Sequence, residues 1–163
     1  MRMPITITVN GSAERLEIDT RQTLVGLLRE QLGLTGTHVG CSTGNCGACT
    51  IVLDGETVKS CSVLAADIDT REVTTIEALS SGAEDLHPIQ RAFVANQGLQ
   101  CGFCTPGMVL STLRLLEENP DPSPDEIRHA IAGNLCRCTG YQLVIQSVLE
   151  AARLAREGAP VAA

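Results

Sequence analysis

Eight cysteines decide what this chain can become, because they fall into two groups of four that must gather in space to be of chemical use. Cys41, Cys46, Cys49 and Cys61 form the first group, spaced C-x4-C-x2-C with eleven residues between Cys49 and Cys61. Cys101, Cys104, Cys136 and Cys138 form the second. The first spacing is the plant-type arrangement for a [2Fe–2S] cluster. Three thiolates from one short loop have to converge on two irons, which demands backbone dihedrals that glycine tolerates. Gly40, Gly44 and Gly47 stand where the chain must crowd such a cluster, and Ser42, Thr43 and Ala48 beside them are small. Backbone N–H groups are then free to approach the sulfurs. Disulfides would need an oxidising compartment that nothing in the sequence indicates, and zinc sites favour C-x2-C pairs over an x4 gap.

The second group is read from its geometry. Cys101 and Cys104, spaced C-x2-C, can grip one iron within a single turn. In an extended chain Cys136 and Cys138 project to one side and Arg137 to the other. A helix-start signal follows each pair: Thr105 before Pro106, and Thr139 before the last apolar run, are both placed to cap a helix. Thiolates set just before a helix N-terminus meet partial positive charge and unsatisfied N–H donors. Spacing alone leaves two readings open here, a second iron–sulfur cluster and a four-cysteine zinc site. A first cluster in the same small chain favours the former, since two redox centres in series make a wire. With all eight cysteines assigned, no Rieske arrangement is needed, and His38, His87 and His129 read as surface or capping residues.

The remaining sequence predicts an α+β half followed by an all-α half. Ile5 to Val9 alternates apolar and polar residues, Asn10-Gly11 is a hairpin turn, and Ala13 to Ile18 is a second strand. Leu24, Val25, Leu27, Leu28 and Leu32 recur at helical spacing, with Thr23 or Thr20 as cap and Gly33 as stop. Thr50 to Leu53 turns through Asp54-Gly55 into a strand that runs toward Leu64 and carries Cys61. A short strand near Val73 and a short helix from Ile76 complete a β-grasp, plant-type ferredoxin domain over residues 1–79. Residues 80–85 (Ser-Ser-Gly-Ala-Glu-Asp) read as a linker. Over 80–163 the period becomes helical. One helix opens at His87-Pro88 and ends at Gly98, and a second runs from Pro106 to Glu118. A third starts from the capping box Ser123-Pro124-Asp125-Glu126 and reaches Ala132, where Gly133-Asn134 ends it. A fourth runs from Tyr141 to Leu154, before a frayed tail over 158–163. This is an all-α four-helix bundle with Leu110, Leu113 and Leu116 in its core. Aromatic residues are limited to Phe93, Phe103 and Tyr141, so both cores must be aliphatic.

Several function classes fall away. A net charge of −7 with no basic stripe argues against nucleic acid. No apolar run is long enough to span a bilayer, and residues 1–6 lack the apolar stretch of a signal peptide, which predicts a cytoplasmic protein.

The stretches Val39-Gly40-Cys41, Cys46-Gly47-Ala48-Cys49-Thr50, Leu53-Asp54-Gly55 with Cys61, Gln100-Cys101-Gly102-Phe103-Cys104-Thr105-Pro106-Gly107-Met108 and Gly133-Asn134-Leu135-Cys136-Arg137-Cys138-Thr139-Gly140-Tyr141 resemble the small iron–sulfur subunit of the molybdenum hydroxylases. That family includes xanthine dehydrogenase, aldehyde oxidase and carbon monoxide dehydrogenase. The resemblance spans nearly the whole chain and implies one [2Fe–2S] cluster per domain. It implies that the cluster of Cys101, Cys104, Cys136 and Cys138 sits beside the molybdopterin of a large catalytic subunit, contacted by Gln100 and the backbone near Cys138. The cluster of Cys41, Cys46, Cys49 and Cys61 would face the next acceptor, usually FAD on a medium subunit. The implied assembly is a hetero-oligomer, a dimer of heterotrimers, in which this chain relays electrons and has no catalytic residue of its own. Two other classes compete: a free-standing ferredoxin-like carrier, and a non-redox zinc or disulfide scaffold.

Overall fold

Two tight turns frame the N-terminal half. Asn10-Gly11 and Asp54-Gly55 each hold positive φ at both central residues, 50° and 78°, then 48° and 83°, as a type I′ hairpin requires. The first turn folds β1 (Arg2–Val9) onto β2 (Ser12–Asp19), and the second folds β3 (Thr50–Leu53) onto β4 (Glu56–Lys59). β5 (Glu72–Thr74) lies between the hairpins, parallel to β1 and antiparallel to β3, giving the order β2-β1-β5-β3-β4. The structure, a computed structural model, describes residues 1–82 and 85–158.

α1 is helical over Leu24–Gly26 and continues as a π-helical turn over Leu27–Gln31. The Thr23 hydroxyl caps it by accepting the Gly26 N–H at 3.3 Å, and Gly33 ends it at φ 70°. Leu24, Leu27 and Leu28 are completely buried with Ile5, Ile7, Ile18, Ile51 and Val73 in one aliphatic core.

One expectation fails in this half. β4 stops at Lys59, and Cys61 lies in a 3-10 turn, Ser60–Ser62, rather than on the strand. The Ser60 hydroxyl and amide both donate to the Cys49 carbonyl, at 2.7 and 3.2 Å. Those two bonds curl the chain off the sheet and carry Cys61 to Cys49.

The C-terminal half contains α2 (Pro88–Ala95), α3 (Thr105–Glu118), α4 (Pro124–Ala130) and α5 (Gln142–Arg156). His87 and Gln90 form a capping box at α2, and Ser123 and Glu126 form the expected one at α4. Two ends differ from expectation. α4 stops at Ala130, short of Ala132. At the end of α2 the left-handed position is filled by Gln97 (φ 54°), not Gly98. Gly98 is required for closeness instead: a Cβ there would collide with the Ser147 hydroxyl on α5. The expected linker includes residues 83 and 84 and the expected frayed tail includes 159–163, which lie outside the described residues.

Phe93, Met108, Leu110, Leu113, Val144 and Val148 form the second core, joined by Val52 from β3. β3 therefore feeds both cores: Ile51 and Leu53 face the sheet's own core, and Val52 faces the helices. Alternation along a strand sends neighbouring side chains to opposite faces, and here both faces are covered. Phe93 is 1% exposed, the largest fully buried side chain. Phe93→Ala is expected to destabilise the subunit by about 3–5 kcal/mol, seen as a lower midpoint in urea denaturation. No helix among the described residues is long and apolar enough to cross a membrane.

Candidate metal centres

The first cysteine loop is wound tightly by three left-handed residues, Ser42 (φ 56°), Gly44 (76°) and Gly47 (74°). The Cys41 sulfur accepts the amides of Thr43 at 3.4 Å and Cys46 at 3.3 Å. Hydrogen bonding from Thr43, first through its side chain, and from Cys46 pushes the Cys41 thiol down to about 6. A Cβ on Gly40 would lie 2.9 Å from the Cys46 sulfur, so the chain passes close there and only glycine fits. Cys49 and Cys61 are buried together against Val25. Burial pushes the Cys49 thiol up. Lys59 brings a half-buried ammonium to the same corner. Burial lowers its pKa, and charge on Cys49, Cys46 and Cys61 opposes that shift.

The second quartet is assembled from two loops. Cys104 is 9% exposed and precedes α3 directly, while Cys101 and Cys138 are exposed with their sulfurs 3.6 Å apart. Burial, then the neighbouring Cys136, pushes the Cys104 thiol up to about 12. Cys136 feels burial too, but hydrogen bonds led by the Thr139 hydroxyl, 3.2 Å from its sulfur, outweigh it and lower its pKa. Cys138 is raised by the Cys101 thiol.

Neither expected threonine cap forms. Cys104 occupies the cap position of α3, and the Thr105 hydroxyl is buried without a protein partner. Thr139 sits too early to cap α5, whose cap position is Tyr141; its hydroxyl turns to the Cys136 sulfur instead. His87 caps as expected, and His129 is an exposed residue of α4. His38 stacks on Phe103 with ring centroids 4.8 Å apart. Gln100 is exposed beside Cys101, lining a shallow depression with Val94, Gln97, Leu99 and Leu143.

All eight cysteines are unpaired thiols. Cys101 and Cys138 meet through their sulfurs, Cys49 packs on Cys61, Cys104 neighbours Cys136, and the Cys41 sulfur accepts the Cys46 amide. Among the described residues no three thiols, imidazoles or carboxylates stand close enough to hold a single ion. Thiols set in neighbouring pairs would suit a two-iron, two-sulfide unit better than one tetrahedral zinc. Thiols this crowded ionise together only when a cation supplies the compensating charge, so the donor set fits such a group.

Between the quartets runs a seam whose key residue was not singled out from the sequence. Asn134 is 2% exposed, and its amide donates to the Gly47 carbonyl at 3.0 Å and the Thr50 hydroxyl at 3.2 Å. Its oxygen accepts the Ser111 hydroxyl at 2.9 Å, and Lys59 donates to Thr50 at 2.9 Å. The Leu135 amide donates to the Cys46 carbonyl at 2.8 Å, joining the two cysteine loops by one backbone bond. Gly47 and Gly107 let the halves touch backbone to backbone, since a Cβ on either would collide with a main-chain carbonyl across the seam. The sequence marks Asn134 only as a helix stop after Gly133, which carries no hint of these partners.

Comparison with known proteins agrees with this geometry. Residues 7–79 match the family described as a 2Fe-2S iron-sulfur cluster binding domain, and residues 75–149 match a separate [2Fe-2S] binding domain. The chain is 49% identical over 150 residues to the nicotine 6-hydroxylase small subunit of Paenarthrobacter nicotinovorans, covering 92% of this chain and 90% of that one. Quinoline 2-oxidoreductase from Pseudomonas putida 86 contains a chain of the same fold, with TM-score 0.92 and 43% identity over 98% of this chain and 99% of that one. Aldehyde oxidoreductase from Desulfovibrio gigas matches with TM-score 0.91 and 42% identity; 98% of this chain is covered, but only 18% of that longer one.

Proposed function

Because the chain belongs to the family of small [2Fe–2S] iron–sulfur subunits of molybdenum hydroxylases, we propose that it relays electrons from the molybdopterin site of a large subunit to a flavin on a medium subunit. One observation supports this most directly: two thiol quartets, each arranged in pairs, lie on either side of a seam bridged by the Leu135–Cys46 backbone bond. In this reading Cys41, Cys46, Cys49 and Cys61 ligate the first cluster, in the domain of residues 1–79. Cys101, Cys104, Cys136 and Cys138 ligate the second, in the domain of residues 80–163. A bound [2Fe–2S] cluster takes up and returns one electron at a time.

The chain's own residues do the rest. Amides at Thr43 and Cys46 and the hydroxyl of Thr139 donate to cysteine sulfur and so tune each centre. Val25 and the helical core keep water from the buried thiols. No residue has to act as acid, base or nucleophile.

The two quartets differ in exposure, and this supports a different partner for each. Cys101 and Cys138 are exposed, and Gln100, next to Cys101 in the chain, is exposed too. These open sulfurs support this face as the one that docks on the large subunit, where Gln100 and the backbone near Cys138 contact molybdopterin. That aldehyde oxidoreductase holds the matching segment within a much longer chain supports a tight union with a large catalytic partner. The loop around Cys41, with Ser42 and Thr43 exposed, faces the FAD-bearing subunit. The assembly is a dimer of heterotrimers.

Two irons and two sulfides per domain mean four of each per chain. Metal and labile-sulfide analysis is expected to return those values, and affinity purification is expected to bring down a large molybdenum-containing chain. Stoichiometric zinc without sulfide, or a fully competent isolated monomer, would refute the assignment.

A further inference from the structure

Tyr141 is in the wrong conformation for a tyrosine. Its φ of 65° and ψ of −18° place it in the left-handed region, directly after Gly140 at φ 63°. A bulky L-residue there is strained, and such strain persists only where the surroundings over-determine it. Glycine or asparagine would serve this turn more comfortably.

The surroundings show what the conformation achieves. The backward turn swings the ring so that the phenolic oxygen accepts the Cys136 amide at 2.8 Å. The Tyr141 amide donates to the Thr139 hydroxyl oxygen at 3.2 Å. That hydroxyl, with its lone pair engaged, points its proton at the Cys136 sulfur, 3.2 Å away. One residue thus engages two donors beside the Cys136 sulfur, the Cys136 amide and the Thr139 hydroxyl. It removes the backbone amide from the set of donors available to sulfur, and it directs a side-chain hydroxyl to that sulfur instead.

We propose that Tyr141 is a positioning residue that sets the reduction potential of the second cluster through Cys136, by withholding the Cys136 amide and aiming the Thr139 hydroxyl at the Cys136 sulfur. The inference rests on the second quartet holding a [2Fe–2S] cluster. Hydrogen-bond donors near cluster sulfur stabilise the added negative charge of the reduced state and raise its potential. Tyr141→Phe releases the Cys136 amide as a free donor beside the cluster, so the potential rises. Thr139→Val removes the donor to sulfur, so the potential falls. Thr139→Ser keeps the hydroxyl and stays near the parent value.

The test is a potentiometric titration of the assembled complex, followed by electron paramagnetic resonance so that each cluster is read through its own signal. Expected is an upward shift and an altered g-pattern for the second cluster in Y141F, a downward shift in T139V, and a first cluster unmoved in both. An unchanged or lowered second potential in Y141F, or equal movement of both clusters, overturns the proposal while leaving the cluster assignment standing. If Y141F does not assemble, T139V against T139S decides alone, and equal potentials in those two overturn the proposal. A parent complex showing one signal only would overturn the cluster assignment itself, and this inference with it.

Discussion

Gly47→Ala is expected to pry the two halves of the molecule apart. The residue holds φ 74°, so any L side chain is strained there, by about 1–2 kcal/mol. The larger effect is steric. The new Cβ would collide with the Gly133 carbonyl and lie 2.9 Å from both the Cα and the side-chain nitrogen of Asn134. The atoms of residue 133 and the Asn134 Cα are main chain and cannot swing aside like the end of a flexible side chain, so the seam itself must open. Opening it strains the Asn134–Gly47, Asn134–Thr50 and Leu135–Cys46 hydrogen bonds together. At about 1 kcal/mol net for each bond, added to the strain, the loss is roughly 4–5 kcal/mol. Gly55→Ala is the control, since Gly55 has a similar φ of 83° but open space around its Cβ. It should lose only the strain. Denaturant midpoints compare the two, and weakened magnetic interaction between the reduced clusters reports the lost register. Equal destabilisation of both variants would show that the seam tolerates a methyl group and that Gly47 is needed only for its dihedral.

The second large effect concerns the thiols themselves. Cys104→Ser should remove the second cluster and spare the first, and Cys49→Ser the reverse. A serine hydroxyl stays protonated where a thiol bound to metal ionises, so the substituted pair loses its grip on one metal ion. Cys49 at 2% exposure and Cys104 at 9% are too enclosed for water to replace the missing ligand readily. Iron should fall from four to two per chain in either variant, and one of two paramagnetic signals should vanish. In the proposed series relay, either loss should stop electron delivery from substrate to acceptor. Retention of four irons in C104S would remove Cys104 from the ligand set. An undiminished rate with half the iron would mean that the lost centre lies off the path.

Features resting on a few neighbouring residues could be read directly from the chain. The Asn10-Gly11 and Asp54-Gly55 turns form as written because positive φ at paired positions is a property of those residues. The capping box at Ser123 and Glu126 forms because its partners are three positions apart. The cysteine spacing likewise divides the eight thiols into two groups of four, as a loop that must wrap a compact inorganic core tolerates few spacings.

Other residues carried a sound local signal that a distant partner overrode. Thr105 and Thr139 have the right type for helix caps, yet one hydroxyl is enclosed and the other serves the Cys136 sulfur. Cys61 belongs to a stretch with strand propensity, but Ser60 binds the Cys49 carbonyl and ends the strand. Gly98 looks like a helix stop, whereas its lack of a side chain is used against Ser147.

The order of amino acids by itself determined the two hairpins, the helices, the capping box at Ser123 and the spacing that divides the cysteines into two groups of four. Only the tertiary structure decided how the quartets face one another. It brought Asn134 to Gly47 and Thr50 across more than eighty residues of chain, turned Val52 into the helical core, and held Tyr141 in a left-handed conformation over Cys136. Turns and caps are settled by interactions within a few residues, whereas a contact between distant segments depends on the packing of everything between them and leaves no pattern in the local sequence.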